Sequence, residues 1–255
     1  MENATGARPQ RVLILKADRL YAETLRQYAE RKLSPARVTI ADSVAAARQV
    51  LSRESIDLFI TGLGESHEGD ALDLIAQCKK SPLRARRVLV VTMRREYRSL
   101  AALRTLPIDG AFDSAEESPV AFMEALQAVV GGARYWSPSI LRRLQQQAAA
   151  PNALFRMLTD FEQVVLSIIG DGCDDAEAAR QLRLSPSTIS TVRRGLHRKL
   201  GVQHRGELVR VAAQKGYVRF TPEGVERPGF ALLAAAYHPR DAKRQTPDVG
   251  QAVLA

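Results

Sequence analysis

Cysteine is nearly absent. Cys78 and Cys173 are the two in the chain, far apart and outside any CxxC or Cys/His spacing, which supports neither a disulfide framework nor a thiolate zinc site. Long apolar runs are missing as well, since no uninterrupted stretch approaches the roughly 18 residues of a membrane helix. Residues 1–9 lack the apolar core of a signal peptide, so a soluble, cytoplasmic protein without a membrane partner is expected. His67, His197, His204 and His238 stand in no metal or triad spacing, and no paired carboxylates stand out. Neither a metal centre nor an enzyme is therefore expected. Gly62-Leu63-Gly64 is too short for a nucleotide-binding loop and reads as a turn, so no cofactor is expected. Acid is missing locally too: from Ala178 to Gly206 there is no Asp or Glu, while Arg180, Arg183, Arg193, Arg194, Arg198, Lys199 and Arg205 supply positive charge. Internal salt bridges within that window do not account for such one-sign density. With a formal net charge of +9, the expected partner is anionic, and charge alone does not separate nucleic acid from a membrane surface.

What is present suffices for two domains, because 255 residues with 45% hydrophobic content can fill two cores. From residue 11 to about 131, short apolar runs (11–15, 37–40, 57–60, 88–92 and 110–112) alternate with segments of helical period (22–31, 44–51, 71–79, 99–106 and 120–130). That alternation predicts an α/β unit with a five-stranded parallel sheet over residues 9–131. A helical linker is expected over 132–157, where a Gln/Ala run ends at Pro151. An all-helical unit follows over 158–218, with helices predicted at 159–169, 174–182, 186–200 and 205–214. Beyond Tyr217 the chain becomes rich in Pro, Gly and charge, apart from the apolar patch Phe230 to Tyr237, and segment 219–255 is expected to be a loosely ordered tail.

Ser185-Pro186 is a strong helix start, since the serine hydroxyl can cap an orphan amide and proline fits the first helical position. Within that helix Ile189, Val192, Leu196 and Leu200 recur three or four apart and form an apolar stripe. Ser190, Thr191, Arg193, Arg194, His197 and Arg198 fall on the opposite arc. The short helix before it joins through Arg183-Leu184, the brief turn of a helix-turn-helix. Small polar and Arg side chains early, with basic ones later, suit a major groove: the first turns read base edges and the later ones hold phosphates.

Leu158-Thr159, Glu162, Val165-Leu166, Gly172, Glu177, Ala179, Leu182, Ser185, Thr188, Lys199-Leu200-Gly201-Val202 and Arg205 resemble, in order and spacing, the LuxR/NarL/FixJ-type DNA-binding domain. The resemblance implies double-stranded DNA as partner, with Ser190, Thr191 and Arg194 at base-contacting positions and Thr188, Arg193, Arg198 and Lys199 at phosphate-contacting ones. It also implies a homodimer assembled through the helix around Glu207 to Ala213. Two residues depart from the family pattern, Gly195 inside the reading helix and Val192 where histidine is frequent. An interaction adaptor that retains the helix-turn-helix fold is the alternative reading.

The N-terminal alternation, with the segment from Gly132 to Pro138 that follows it, resembles the CheY-like receiver of two-component response regulators. Such a receiver needs carboxylates after the first and third strands to hold Mg²⁺ and accept a phosphoryl group. It also needs a hydroxyl after the fourth strand and a lysine after the fifth. Here Lys16 and Ala17 fall at the acidic pair, Gly62 at the acceptor, Thr92 at the hydroxyl and Ser114 at the lysine, with Ala111 at the aromatic switch position. A pseudo-receiver not controlled by aspartyl phosphorylation is expected, responding through dimerisation, a protein partner or a small ligand. Asp18 is expected to cap the first helix and Asp57 to begin a strand away from the pocket. Arg84, Arg86 and Arg87, with Arg94, Arg95 and Arg98, form a second basic concentration. They read either as a solvated surface or as a site for an anion or nucleotide messenger. Tyr135-Trp136-Ser137-Pro138 only partly resembles the Trp-containing motif that some pseudo-receiver regulators use for cyclic dinucleotides, because proline stands where arginine is required.

Overall fold

The computed structural model describes residues 10–63, 71–150, 157–222 and 224–237. His67, Gly64, His238 and the ends of the proposed linker and tail lie outside them. The chain divides into two compact units, residues 1–150 and 151–255.

In the first unit β1 (Gln10–Leu15), β2 (Ala36–Ala41), β3 (Ile56–Thr61), β4 (Ala85–Thr92), β5 (Gly110–Asp113) and β6 (Tyr135–Trp136) form a parallel sheet in the order β2-β1-β3-β4-β5-β6. The intervening helices are α1 (Arg19–Lys32), α2 (Val44–Arg53), α3 (Ala71–Gln77), α4 (Tyr97–Leu103) and α5 (Pro119–Val130). The step from β1 to β2 runs one way along the sheet and the steps from β2 to β5 run the other. Right-handed crossovers then put α1 on one face and α2, α3 and α4 on the opposite one. Val12, Ile14, Leu58, Ile60, Leu89, Val91 and Phe112 pack against Leu25 and Ala29 of α1 and Phe122, Ala125, Leu126 and Val129 of α5. The alternate residues Leu13, Leu15, Phe59, Val88 and Val90 are equally buried, which is why these strands read as continuous apolar runs.

Two sequence expectations are corrected here. The sheet has six strands rather than five: Tyr135–Trp136 adds to β5, pairing Gly110 with Tyr135 and Ala111 with Trp136. The helical stretch after it, α6 (Pro138–Ala149), is no free linker, because Ile140 is buried and the helix packs on β5 and α4. A two-residue strand is too short to show a periodicity. What locks it is the fully buried Ser137, whose Oγ accepts the Asp113 amide at 3.0 Å.

The second unit is built on α7 (Asp160–Gly170), started by a capping box between Thr159 and Glu162. Helices α8 (Asp175–Leu182), α9 (Pro186–Leu200) and α10 (Arg205–Lys215) pack around it, and so does a later helix, α11 (Phe230–Ala236). Residues Gln163 to Gly170 are consequently all buried. The buried Tyr217 hydroxyl donates to Gln163 Oε1 at 2.9 Å, and Ser167 Oγ donates to the Tyr217 carbonyl at 3.1 Å. The expected loose tail is ordered over its described part. The strands β7 (Arg219–Thr221) and β8 (Gly224–Glu226) pair antiparallel, and α11 buries Leu233. The reason is aromatic: Tyr237 stacks on Phe161 at 4.6 Å and Arg227 lies over Phe230 at 4.4 Å. The apolar patch 230–237 is too short, between Pro-, Gly- and charge-rich flanks, to announce these contacts in sequence.

Candidate nucleic-acid interface

Helix α8 starts on Asp174, whose side chain accepts the Glu177 amide at 2.7 Å. It stops at Arg183, which turns the chain in the left-handed region at φ 56°. Ala178 and Ala179, both buried, let the two helices of the motif approach closely. After the turn, Ser185 Oγ accepts the Thr188 amide at 3.1 Å and lies 2.8 Å from the hydroxyls of both Ser187 and Thr188. Helix α9 then runs to Gly201, whose φ of 66° ends it with a conformation few other residues adopt.

The predicted apolar stripe is the one that faces inward: Ile189 and Leu196 are fully buried, Val192 and Leu200 half-buried. Opposite, Ser187, Thr191, Arg194 and Arg198 are exposed at successive spacings that keep them on one line down the helix. Thr191 Oγ1 donates to the Ser187 carbonyl at 3.0 Å and accepts from Arg194 Nη2 at 3.3 Å. Ser187 was not singled out from the sequence; its exposure and spacing place it on the outward line. Ser190 and Thr188, half-buried, flank that line.

Arg193 and Lys199 each lie in an ion pair within the second unit. Both are held by carboxylates of the same unit. Arg193 Nε and Nη2 donate to Asp175 Oδ1 and Oδ2, each at 2.9 Å, and Lys199 Nζ lies 2.7 Å from Glu162 Oε2. The acid-free window is thus balanced in part by acids outside it, on α7 and α8, which a linear count does not see. Arg193 holds the Asp175 carboxyl below the ordinary aspartate range, overriding the upward push of desolvation, and the guanidinium is raised in turn. Among the described residues Arg194 and Arg198 have no such carboxylate partner. His197 Nδ1 lies 3.0 Å from the Val202 carbonyl and secures the end of the helix. Glu207 accepts the amides of Gln203 and His204 at 2.6 and 3.2 Å, which keeps its pKa low.

In the first unit the receiver-like positions do meet at one edge of the sheet. Lys16 and Ala17 follow β1, Gly62 follows β3, Thr92 ends β4 and Ser114 follows β5. The Ser114 amide donates to the Thr92 carbonyl at 3.1 Å, while the buried Ser114 Oγ has no hydrogen-bond partner among the described residues. Thr92 Oγ1 accepts the Arg94 amide at 3.0 Å. The Lys16 ammonium lies 4.8 Å from the centre of the Tyr21 ring. Asp18 caps α1 through the Tyr21 amide at 3.0 Å, and Asp57 accepts the Arg11 amide at 2.9 Å at the other edge of the sheet. An ammonium, a methyl, a glycine and two hydroxyls do not form the hard-oxygen set that Mg²⁺ requires.

The second basic concentration separates. Arg84, Arg86 and Arg87 stand at the start of β4, whereas Arg94, Arg95 and Arg98 follow its end. Arg87 pairs with Asp109 at 3.1 Å, Arg94 with Glu96 at 3.5 Å and Arg95 with Glu116 at 3.1 Å.

Residues 156–212, which span α7 to most of α10, match the family described as bacterial regulatory proteins, luxR family. A putative transcriptional regulator of Pseudomonas aeruginosa is 32% identical over 171 residues, covering 66% of this chain and 81% of that protein. The chain belongs to the luxR family of bacterial regulatory proteins. A second relative, the nitrate/nitrite response regulator NarP of Escherichia coli, is 25% identical over 202 residues, covering 78% of this chain and 92% of that protein. Its fold is similar to that of RcsB from Salmonella enterica serovar Typhimurium bound to a promoter, with a TM-score of 0.55 and 24% identity over 81% of this chain and 99% of that one. As a luxR-family protein with a receiver-like first unit, it is a transcription regulator of the response-regulator type. The family match ends before β7, so the hairpin and α11 are additions to the matched segment. Among the described residues no helix is long and apolar enough to cross a membrane.

Proposed function

We propose that this luxR-family regulator binds double-stranded DNA as a homodimer and reads a specific sequence with the outward line of α9. Ser187, Thr191 and Arg194, with Ser190 at their flank, meet base edges, and Arg198 and Thr188 hold phosphates. The observation that carries this reading is the line itself: exposed small hydroxyls at the start of a capped helix, followed by two arginines that have no carboxylate partner among the described residues. A promoter complex of RcsB, which shares the fold, is consistent with it. On α10, Leu208 and Ala212 face inward while Val209, Arg210 and Ala213 remain accessible to a second copy. The first unit acts without aspartyl phosphorylation, since its acceptor position is Gly62 and its acidic pair is Lys16 and Ala17.

Binding is tested by titrating labelled duplexes selected from a random pool. Affinity should fall steeply as salt rises, by about 0.9 log units per decade for each phosphate contacted. Arg194→Ala should lose about 1 to 3 kcal/mol on the selected duplex and little on random DNA. Equal loss on both would move Arg194 from base reading to phosphate holding. A regulator that keeps its cellular effect after Arg194 and Arg198 are neutralised would be an adaptor instead. For the first unit, incubation with a small-molecule phosphoryl donor should leave both the mass and the DNA affinity unchanged. An acid-stable gain of one phosphoryl group would mark a Ser or Thr ester and leave the proposal standing, whereas an acid- and base-labile one would mark an acyl phosphate and overturn it.

A further inference from the structure

The pair between Asp175 and Arg193 is unlike an ordinary surface ion pair. Asp174 supplies the N-cap of α8 and leaves the next carboxylate, Asp175, to reach across to the middle of α9. Arg193 meets it with the Nε and Nη2 edge of its guanidinium in a two-pronged contact, with Nη2 also 3.5 Å from Ser190 Oγ. Arg205, from the first turn of α10, brings a second cation to within 3.9 Å of the same carboxylate. The two side chains of the main pair are only 27% and 21% exposed, so their attraction is screened less than that of a pair in open water. Arg193 lies one residue from the outward line formed by Thr191, Arg194 and Arg198. Its charge is near the DNA face while its hydrogen bonds are spent on Asp175.

We propose that Asp175 is a positioning residue that withholds Arg193 from DNA phosphate, so that contact with DNA is left to the outward line of α9. To grip a phosphate with the same edge, Arg193 must first give up its fork onto Asp175. That exchange of one anion for another yields little, and it leaves the Asp175 carboxylate beside the polyanion with only the longer 3.9 Å contact to Arg205. The consequence is a lower background affinity for DNA of any sequence. Phosphate contacts carry no sequence information and strengthen cognate and random binding alike, so a cation held back lowers background occupancy without touching base reading. The inference rests on the DNA-binding function proposed above.

The test compares the full-length protein with D175N, D175E, R193A and the D175N/R193A double variant. Each is titrated with the selected duplex and with random duplex between about 50 and 200 mM salt, the range over which counterion release is read. D175N should tighten random DNA and steepen the salt slope by about 0.9 per subunit, so that affinity falls roughly 3.5-fold further per subunit over that fourfold rise. Selected and random duplexes should tighten alike, so that their affinity ratio stays as in the wild type while random DNA is occupied at lower protein concentration. D175E, which keeps the charge, should retain the wild-type slope and report whether the fold tolerates substitution there, with thermal melting as the control. R193A should bind with the wild-type slope, and the double variant should match R193A.

Three results would overturn the proposal: an unchanged slope in folded D175N, a D175N effect that persists without Arg193, or a slope already flattened by about 0.9 per subunit in R193A. The last would mean that Arg193 contacts phosphate in the native protein. Absence of binding by the wild-type protein would instead remove the DNA-binding reading itself.

Discussion

Gly195 and Gly170 are both helical glycines in the second unit, and their surroundings give opposite expectations for the same substitution. A Cβ on Gly195 would meet Glu162 Oε1 at 3.7 Å, an ordinary contact, whereas one on Gly170 would stand 2.5 Å from the Ala212 Cβ. Glycine inside a helix costs about 0.5 to 1 kcal/mol relative to alanine. Gly195→Ala should therefore stabilise the second unit by that amount in urea unfolding and leave DNA affinity unchanged, because the added methyl faces α7. Gly170→Ala should destabilise it by about 1 to 3 kcal/mol, as α7 and α10 are forced apart. A stabilised G170A protein would show that the two helices can separate without loss. From sequence alone Gly195 was a departure from the family pattern and Gly170 an unremarked helix end; the neighbour across the helix interface distinguishes them.

At the scale of elements, α11 is the addition whose contribution is open to measurement. Leu233 is 5% exposed and the Phe161–Tyr237 stack closes the same face of α7. Leu233→Ala should cost about 2 to 3 kcal/mol by the loss of buried methyl groups and the cavity left behind. Its signature should be a lowered unfolding midpoint with an unchanged salt slope of DNA binding, since α11 contributes no residue to the outward line of α9. A variant as stable as the parent would show that the helix merely rests on α7. The recognition helix itself was legible to the residue, from Ser185 to Gly201, because capping, proline placement and apolar period all act locally. The hairpin and α11 were not: the hairpin lies in a Pro-, Gly- and charge-rich stretch, and the short apolar run of α11 is ordered by packing on α7, where Tyr237 stacks on Phe161 far upstream in the sequence.

Across the molecule, acid should act on specific carboxylates rather than on net charge alone. Asp109 is buried at the start of β5, which by itself pushes its pKa up. The Lys79 ammonium at 2.6 Å, the Val88 amide at 2.8 Å and Arg87 reverse that and hold it below the ordinary value. A group whose folded pKa is lowered binds its proton more readily when unfolded. Its stabilisation is therefore complete above the unfolded value of about 3.9 and is lost as pH falls through the lower folded value. Asp109→Ala should cost the first unit about 1.5 to 3 kcal/mol near neutral pH and flatten its stability profile in that acid window, measured by circular dichroism against urea at each pH. An unchanged profile would mean that Lys79 and Arg87 find equal partners elsewhere. Asp175 adds the same sign of dependence to the second unit, through Arg193.

The sequence by itself determined the alternating parallel-sheet unit, the helical second unit, the limits of the recognition helix and which of its faces is apolar. All of these follow from periodicity and capping within a few residues of each position. It also placed Lys16, Ala17, Gly62, Thr92 and Ser114 together, since strand ends in a parallel sheet share one edge whatever the side chains. Tertiary structure decided which of these cations are paired among the described residues. Arg193 and Lys199 look identical to Arg194 and Arg198 along the chain, and only the packing of α7 and α8 against α9 brings Glu162 and Asp175 to the first pair and not to the second. It likewise converted a presumed linker into a sixth strand and a docked helix, because a buried serine hydroxyl and two strand residues form contacts too few to leave a pattern in sequence. Charge pairing across elements is a long-range property, and a linear reading has no term for it.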